Sequence, residues 1–251
     1  YQKVKDLIDS GELGELRRSN WIITNWYRSQ SYYNSGGWRA TWKGEGGGVL
    51  LNQDPHQLDL WQWLVGMPVR MRAFCQFGKH RDIEVENDVT AYAEYANGAT
   101  GVFITTTAEA PGTNRLEITG DRGKVVVEEG RLRFWRLRES EPEFNARWQN
   151  GFGEPECWEV IIPTPPESSE HHVVTANFCD AVLHGKPLIA PGTDGIRGLT
   201  LSNAMHLSTW TDDWVNLPFD EALFKKLLDE SIATSVEKQV ESKTLDASGT
   251  W

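Results

Sequence analysis

Asn52, His56 and Asp59 stand four and three residues apart behind a glycine cluster, in the run G-E-G-G-G-V-L-L-N-Q-D-P-H-Q-L-D that begins at Gly44. A helix through this segment puts the three polar side chains on one face, because residues three and four apart are helix neighbours. Leu51, Leu58, Trp61 and Val65 have the complementary spacing of an inward apolar face. An imidazole exchanges a proton near neutral pH, whereas an amide holds hydroxyl groups but takes up no proton. Behind a flexible glycine loop and among many tryptophans, the triad has the parts of a small-molecule catalytic site.

Six of the twelve tryptophans, Trp21, Trp26, Trp38, Trp42, Trp61 and Trp63, fall in the first quarter of the chain beside Tyr27, Tyr32 and Tyr33. Aromatic faces stack on the apolar faces of sugar rings, and Arg28, Arg39 and Lys43 can bind hydroxyls or an acidic group. Most of these aromatics belong in the core or an interface. Tyr27, Arg28, Trp38 and Arg39 are the candidates for ligand contact, Arg39 first because it stands just before the glycine run. Gln53 joins Asn52 as a substrate-binding candidate, while Asp59 is assigned a structural bond. His171 and His172 beside Glu170 diverge on a helix, so no metal site is expected. His206 is expected to satisfy a buried hydrogen bond, and His80 and His184 to lie in a loop or at a helix end.

The elements that must position these residues can be read from pattern. Val4, Leu7 and Ile8 predict a helix over the first ten residues, ended by Gly11. A strand is expected from about Glu15 to Tyr27. Arg28 to Gly48 shows no period and reads as one long loop, and long ordered loops are more often functional than idle. Strands follow at Val69 to Phe77, Asp88 to Tyr95, Thr100 to Thr107, Arg115 to Thr119, Lys124 to Glu128 and Arg131 to Leu137. Asn97-Gly98 and Glu129-Gly130 separate neighbouring runs as hairpin turns do, which makes the block a largely antiparallel sheet. The runs Val125-Val126-Val127 and Val102-Phe103-Ile104 suggest strands covered on both faces. Ser140 to Pro155 reads as an irregular excursion before a strand from Trp158 to Ile162. Pro163, Pro165 and Pro166 then break the chain ahead of Ser168, an expected helix cap. Helices are expected at Ser169 to Leu183, Thr193 to Trp210 and Phe219 to Ile232, before an extended polar tail.

The 251 residues carry a formal net charge of −11 and no basic stripe, which argues against nucleic acid and anionic membranes as partners. No apolar run has the length of a membrane span. Cys75, Cys157 and Cys179 lie far apart without metal-ligand spacing, and read as reduced buried thiols of a cytoplasmic protein.

The glycine run with L-L-N-Q-D-P-H-Q-L-D, the later I-T-G-D-R-G-K-V-V-V-E at Ile118 to Glu128, and D-G-I-R-G-L-T-L-S-N-A-M-H-L-S-T-W at Asp194 to Trp210 occur in that order. Together they resemble the glucose-fructose oxidoreductase, inositol dehydrogenase and rhizopine-catabolism (Gfo/Idh/MocA) family, and specifically its C-terminal domain. The resemblance implies an α+β fold, an open, predominantly antiparallel β-sheet flanked by helices, like the C-terminal domain of glyceraldehyde-3-phosphate dehydrogenase. It implies that residues 1–235 form a substrate-binding and oligomerisation domain, with 236–251 a polar tail. It places His56 where the family's histidine meets the reacting hydroxyl or carbonyl, and Asn52 where aspartate is usual. NAD or NADP would serve the full-length protein, held by a Rossmann domain expected before Tyr1, with no cofactor on this chain alone. Gly44 to Gly48 only superficially suggest a dinucleotide fingerprint, since Val49 stands where its last glycine should be. The family's Glu-Lys-Pro segment is missing, and Glu237-Lys238-Gln239 lies in the tail without the proline. The expected ligand is a sugar, cyclitol or related polyol, and the expected assembly a homodimer or higher homo-oligomer through the sheet. Two other readings stay open: a non-catalytic assembly module, and an NAD-dependent glycoside hydrolase of the same family.

Overall fold

The computed structural model describes residues 1–163, 170–236 and 238. The chain opens with α1 (Gln2–Asp9) and β1 (Leu16–Ile23), followed by three single turns, α2 (Gln30–Tyr33), α3 (Trp42–Glu45) and α4 (Val49–Asn52), and then α5 (Pro55–Val65). Six strands come next: β2 (Arg70–Phe77), β3 (Glu86–Glu94), β4 (Thr100–Thr106), β5 (Asn114–Gly120), β6 (Gly123–Glu128) and β7 (Arg131–Leu137). The remainder is α6 (Glu141–Arg147), β8 (Cys157–Ile161), α7 (Glu170–His184), α8 (Gly195–Thr211), β9 (Val215–Asn216) and α9 (Glu221–Thr234).

The strands form one nine-stranded sheet in the order β8-β7-β6-β5-β1-β4-β3-β2-β9. Every pairing is antiparallel except β1 with β4, so the expected α+β fold with a predominantly antiparallel sheet is the fold found. Trp21 of β1, Phe103 of β4 and Trp61 of α5 meet at the centre of the core, with ring centroids 6.4 Å and 5.3 Å apart for the two pairs that share Phe103. Leu58 and Leu64 of α5 and Leu201, Ala204 and Met205 of α8 complete that layer. The helices cover one face of β1 to β4. The opposite face leaves Phe74 and Tyr92 exposed and Ile22, Val102 and Ile104 half-buried. The double-sided burial expected of the Val102 run is therefore only half realised, whereas Val125 and Val126 are both buried.

Five local expectations are corrected. The helix expected to run from Asn52 through Asp59 is broken at Gln53 and Asp54, because Pro55 at the first position of α5 lacks an N–H and disfavours helical backbone in the residue before it. The loop from Arg28 to Gly48 contains two turns, started by the side chains of Ser29 and Thr41, which accept from the amides of Tyr32 and Gly44. β1 ends at Ile23 rather than near Tyr27. The expected excursion after Ser140 holds α6, opened by a capping box between Ser140 and Glu143. Cys75 is buried as expected, but Cys157 and Cys179 are exposed. Pro165, Pro166 and Ser168 lie outside the described residues, as does the tail beyond Val236 apart from Lys238. No helix among the described residues is long and apolar enough to cross a membrane.

Candidate functional site

The glycine run works by close approach. A side chain at Gly48 would collide with the backbone oxygen of Glu86, while Gly46 adopts a left-handed φ of 73° that closes α3. The loop is thereby pressed onto β3, where Glu86 is fully buried. Both Glu86 carboxylate oxygens accept from the Gly48 amide at 2.9 Å, and Oε1 also accepts from the Leu50 amide at 3.1 Å. His206 of α8 brings Nε2 to 2.8 Å from Glu86 Oε2, its ring stacked on Trp210. His206 is thus buried as its place in a packed helix implied, but its Nε2 lies close to Glu86 without forming a hydrogen bond among the described residues, so the expected buried bond is not made.

Tyr32, on α2, is the hub of the exposed side. Its ring lies between two guanidinium groups, Arg28 at 5.2 Å and Arg39 at 4.8 Å. Its hydroxyl donates to Asn52 Oδ1 at 3.2 Å and accepts from Arg39 Nη1 at 3.1 Å and Gln53 Nε2 at 3.4 Å. Gln53 Nε2 also donates to Asn52 Oδ1 at 2.6 Å, and Asn52 Nδ2 donates to Glu45 Oε1 at 2.5 Å. Glu45 closes the ring by accepting from the Ala40 amide at 2.6 Å, and burial pushes its carboxyl above the usual range. Arg39 also sits 4.5 Å over the exposed Trp38 ring. Arg28 donates to the Tyr27 carbonyl at 3.0 Å, with Tyr27 exposed beneath Arg81. The cluster combines exposed aromatic faces with amide and guanidinium donors, the chemistry that sugar hydroxyls and ring faces meet.

Of the sequence candidates, Asn52, Gln53, Arg39, Arg28 and Trp38 come together around Tyr32, with Tyr27 at the margin. His56 does not join them. It is exposed on the first turn of α5 and lines a separate concavity of about 210 Å³ with Leu51, Pro55, Asp59, Gly198 and Leu199. The break before Pro55 separates it from Asn52. Asp59 accepts from Gln62 Nε2 at 3.0 Å, a bond within its own helix, in line with its structural assignment. His171 and His172 are exposed on α7.

Tyr32, Glu45, Glu84 and Asp54 are the residues that sequence reasoning passed over. Glu84 ties the residues that follow α9 to the loop: its carboxylate accepts from the Trp42 amide at 3.1 Å, Ser235 Oγ at 2.6 Å and the Val236 amide at 2.6 Å. Lys238 follows, its pKa lowered by burial against the opposing pull of Asp82, Glu84 and Glu45. The beginning of the expected polar tail is therefore docked on Glu84 near Glu45. One signal for Glu45 was present, a lone acid inside a glycine run.

The same loop tests the fit of a dinucleotide. A pyrophosphate cradle needs free backbone amides at a glycine turn before a helix. Here the Gly48 and Leu50 amides already serve the Glu86 carboxylate, so this loop does not fit that role.

A family model described as the GFO/IDH/MocA C-terminal domain matches residues 1–126. Among solved structures, the WlbA dehydrogenase from Chromobacterium violaceum, in complex with NADH and UDP-GlcNAcA, is 27% identical with a TM-score of 0.70, over 87% of this chain and 59% of that one. The WlbA dehydrogenase from Bordetella pertussis, with the same ligands, is 24% identical with a TM-score of 0.69, over 87% and 60%. Levoglucosan dehydrogenase in complex with NADH and L-sorbose is 20% identical with a TM-score of 0.66, over 86% and 62%. The chain thus spans about 60% of the length of these structures. The comparison with curated proteins found no match.

Proposed function

Because the chain belongs to the GFO/IDH/MocA family, we propose that it is the substrate-binding and oligomerisation part of an NAD(P)-dependent oxidoreductase acting on a sugar, cyclitol or related polyol. The observation that carries this reading is the Tyr32-centred cluster, in which Arg28, Arg39 and Asn52 from two segments present polar groups beside the exposed ring of Trp38, with the buried Gln53 amide bracing Asn52 and Tyr32. Support also comes from the solved WlbA and levoglucosan dehydrogenases, which hold NADH together with a sugar nucleotide or a sugar.

In this reading a saccharide lies across the break between α4 and α5. Asn52, braced by Gln53, holds hydroxyl groups without exchanging protons, Arg39 donates to a hydroxyl or acidic substituent, and Trp38 packs on a ring face. His56 keeps the role of proton acceptor for the reacting hydroxyl from the family resemblance, its ring nitrogen facing a separate concavity that the saccharide must also reach. Hydride transfer belongs to the nicotinamide, NAD or NADP, for which this glycine loop offers no cradle. We therefore expect this chain alone to bind saccharide and to turn nothing over, and we place the oligomer contact on the open face of the sheet.

Calorimetry with D-glucose, myo-inositol, L-sorbose and levoglucosan, with NADH as a control, tests the reading on the chain and on its Asn52→Ala and His56→Ala forms. Binding of at least one saccharide, weakened about tenfold in Asn52→Ala, is expected from the loss of neutral amide-to-hydroxyl hydrogen bonds. No heat from any saccharide would sink the sugar site and leave the assembly module as the better account.

A further inference from the structure

Asp54 lies within the break between α4 and α5, fully buried, and neither of its oxygens has a hydrogen-bond partner among the described residues. Trp26 Nε1, Thr105 Oγ1 and Gln57 Oε1 are buried in the same unpartnered state. Trp26 and Thr105 face the carboxyl as hydrogen-bonding groups that favour its ionised form, but their contacts with it fall short of good hydrogen-bond geometry. Native proteins rarely leave buried polar atoms unpaired, and a group of them calls for a role.

A cheaper position was available to this side chain. Asp54 is the N-cap of α5, and D-P-H-Q has the spacing of a capping box with Gln57, yet Asp54 makes no capping bond. The carboxyl instead turns into the core, toward Thr105 of β4 and Trp26 of the segment that carries Tyr27 and Arg28. Its own backbone amide donates to the Val49 carbonyl at 2.9 Å, and the adjacent Gln53 side chain reaches Tyr32 and Asn52. Asp54 therefore stands where three pieces of the Tyr32 cluster are joined: the Trp26 segment, the end of α4 and the start of α5.

We infer that Asp54 is a positioning residue for the saccharide site, locking the break against Trp26 and Thr105, and that its proton occupancy governs how firmly Asn52 and Gln53 are held on Tyr32. As a neutral acid it can donate one hydrogen bond and accept another in this pocket. Once ionised, it is a buried charge faced only by two neutral donors, and the N-terminus of α5 becomes the better place for it. Leaving the pocket for that position moves the backbone at Gln53. Burial, the dominant influence, pushes the carboxyl up to about 7, while Thr105 and Trp26 pull the other way. The ionisable side chains on the surrounding elements are His56 and Asp59 on α5, Arg28 beyond Trp26 and Glu86 on β3; the causes of the shift are burial, Thr105 and Trp26.

The inference rests on reading the Tyr32 cluster as the saccharide site, so its test uses no saccharide. Carbon- and nitrogen-detected NMR of the chain from about pH 5 to about pH 9 would follow the Asp54 carboxyl, the Trp26 indole N–H and the side-chain amides of Asn52 and Gln53. All four signals should move with one midpoint of about 7. Asp54→Asn, which preserves shape, should flatten the other three. Thr105→Val removes a group that favours the ionised form and should raise the shared midpoint. Asn52 and Gln53 amides that stay flat while Asp54 titrates, or that titrate unchanged in Asp54→Asn, would overturn the positioning role. So would an Asp54 carboxyl that does not titrate in this range. A chain that shows the shared midpoint but binds no saccharide by calorimetry would retain the positioning role and lose the sugar reading.

Discussion

Tyr32 Oη joins three side chains, accepting from Arg39 and Gln53 and donating to Asn52, so deleting one oxygen tests the whole cluster. Tyr32→Phe keeps the ring between Arg28 and Arg39 and leaves the stacking intact. It is expected to weaken saccharide binding about tenfold in calorimetry while costing about 1 kcal/mol or less of stability in urea, because the lost bonds are partly exposed and replaceable by water. Unchanged affinity would place the sugar elsewhere. Asp54 gives a prediction of different form, in stability against pH. Its folded pKa of about 7 lies above the ordinary 3.8, so between those values the folded chain keeps a proton that the unfolded chain releases. Its contribution therefore falls as pH rises from about 4 to about 7 and is constant above that. Asp54→Asn should match the wild type near pH 4 and exceed it increasingly toward pH 7, each unit being worth about 1.4 kcal/mol; thermal melts across that range measure it, and parallel curves would refute it. Asn52, Gln53 and Arg39 could be picked out from the sequence because amides and a guanidinium beside a glycine run suggest polyol binding. Tyr32 could not, since its partners come from turns that no periodicity announces, and Glu45 offered only the signal of a lone acid inside a glycine run.

Glu86 shows how an element is held from outside itself. The glycine loop and α4 contain few side chains of their own to fix them, and the Glu86 carboxylate supplies the acceptor for two of their amides while lying close to His206. Glu86→Gln replaces one acceptor oxygen with an amide donor beside the Gly48 and Leu50 N–H groups. Leaving a buried amide without its acceptor costs about 1–3 kcal/mol, which urea unfolding would register, and a loss below about 0.5 kcal/mol would mean the loop is held by packing alone. α6 provides a milder case, where Ser140→Ala removes one half of its capping box and should cost about 1 kcal/mol. Most strands were readable from alternation and from the Asn97-Gly98 and Glu129-Gly130 turns, because those signals are local. The insertion of β1 between β5 and β4, parallel to β4, was not, since which strand pairs with a distant one depends on packing across the core. The break at Pro55 was written in the sequence, where proline overrides the helical spacing of Asn52, His56 and Asp59.

At the scale of the whole molecule, the sheet has one face under α5 and α8 and one without a covering layer among the described residues. Along β1 to β4 that open face carries Ile22, Phe74, Tyr92, Val102 and Ile104, with Trp214 against Tyr92 at 5.9 Å and Arg70 stacked on Trp214 at 4.4 Å. A contiguous apolar patch on central strands is costly to leave in water, and a second copy of the same face is the simplest cover. In a two-fold contact each residue near the axis meets its own image, so a single charge introduced there repels itself across the interface. Light scattering should give the wild-type chain a mass twice its 28.4 kDa, and Tyr92→Glu a mass near that of one chain with an unchanged circular dichroism spectrum. The position also separates assembly from binding, because Tyr92 on β3 contacts none of the Tyr32 cluster residues described. If the Tyr92→Glu monomer still binds saccharide, the site is built within one chain; if binding disappears with the dimer, the partner copy holds the loop in place, and the sheet face becomes part of how the site is formed.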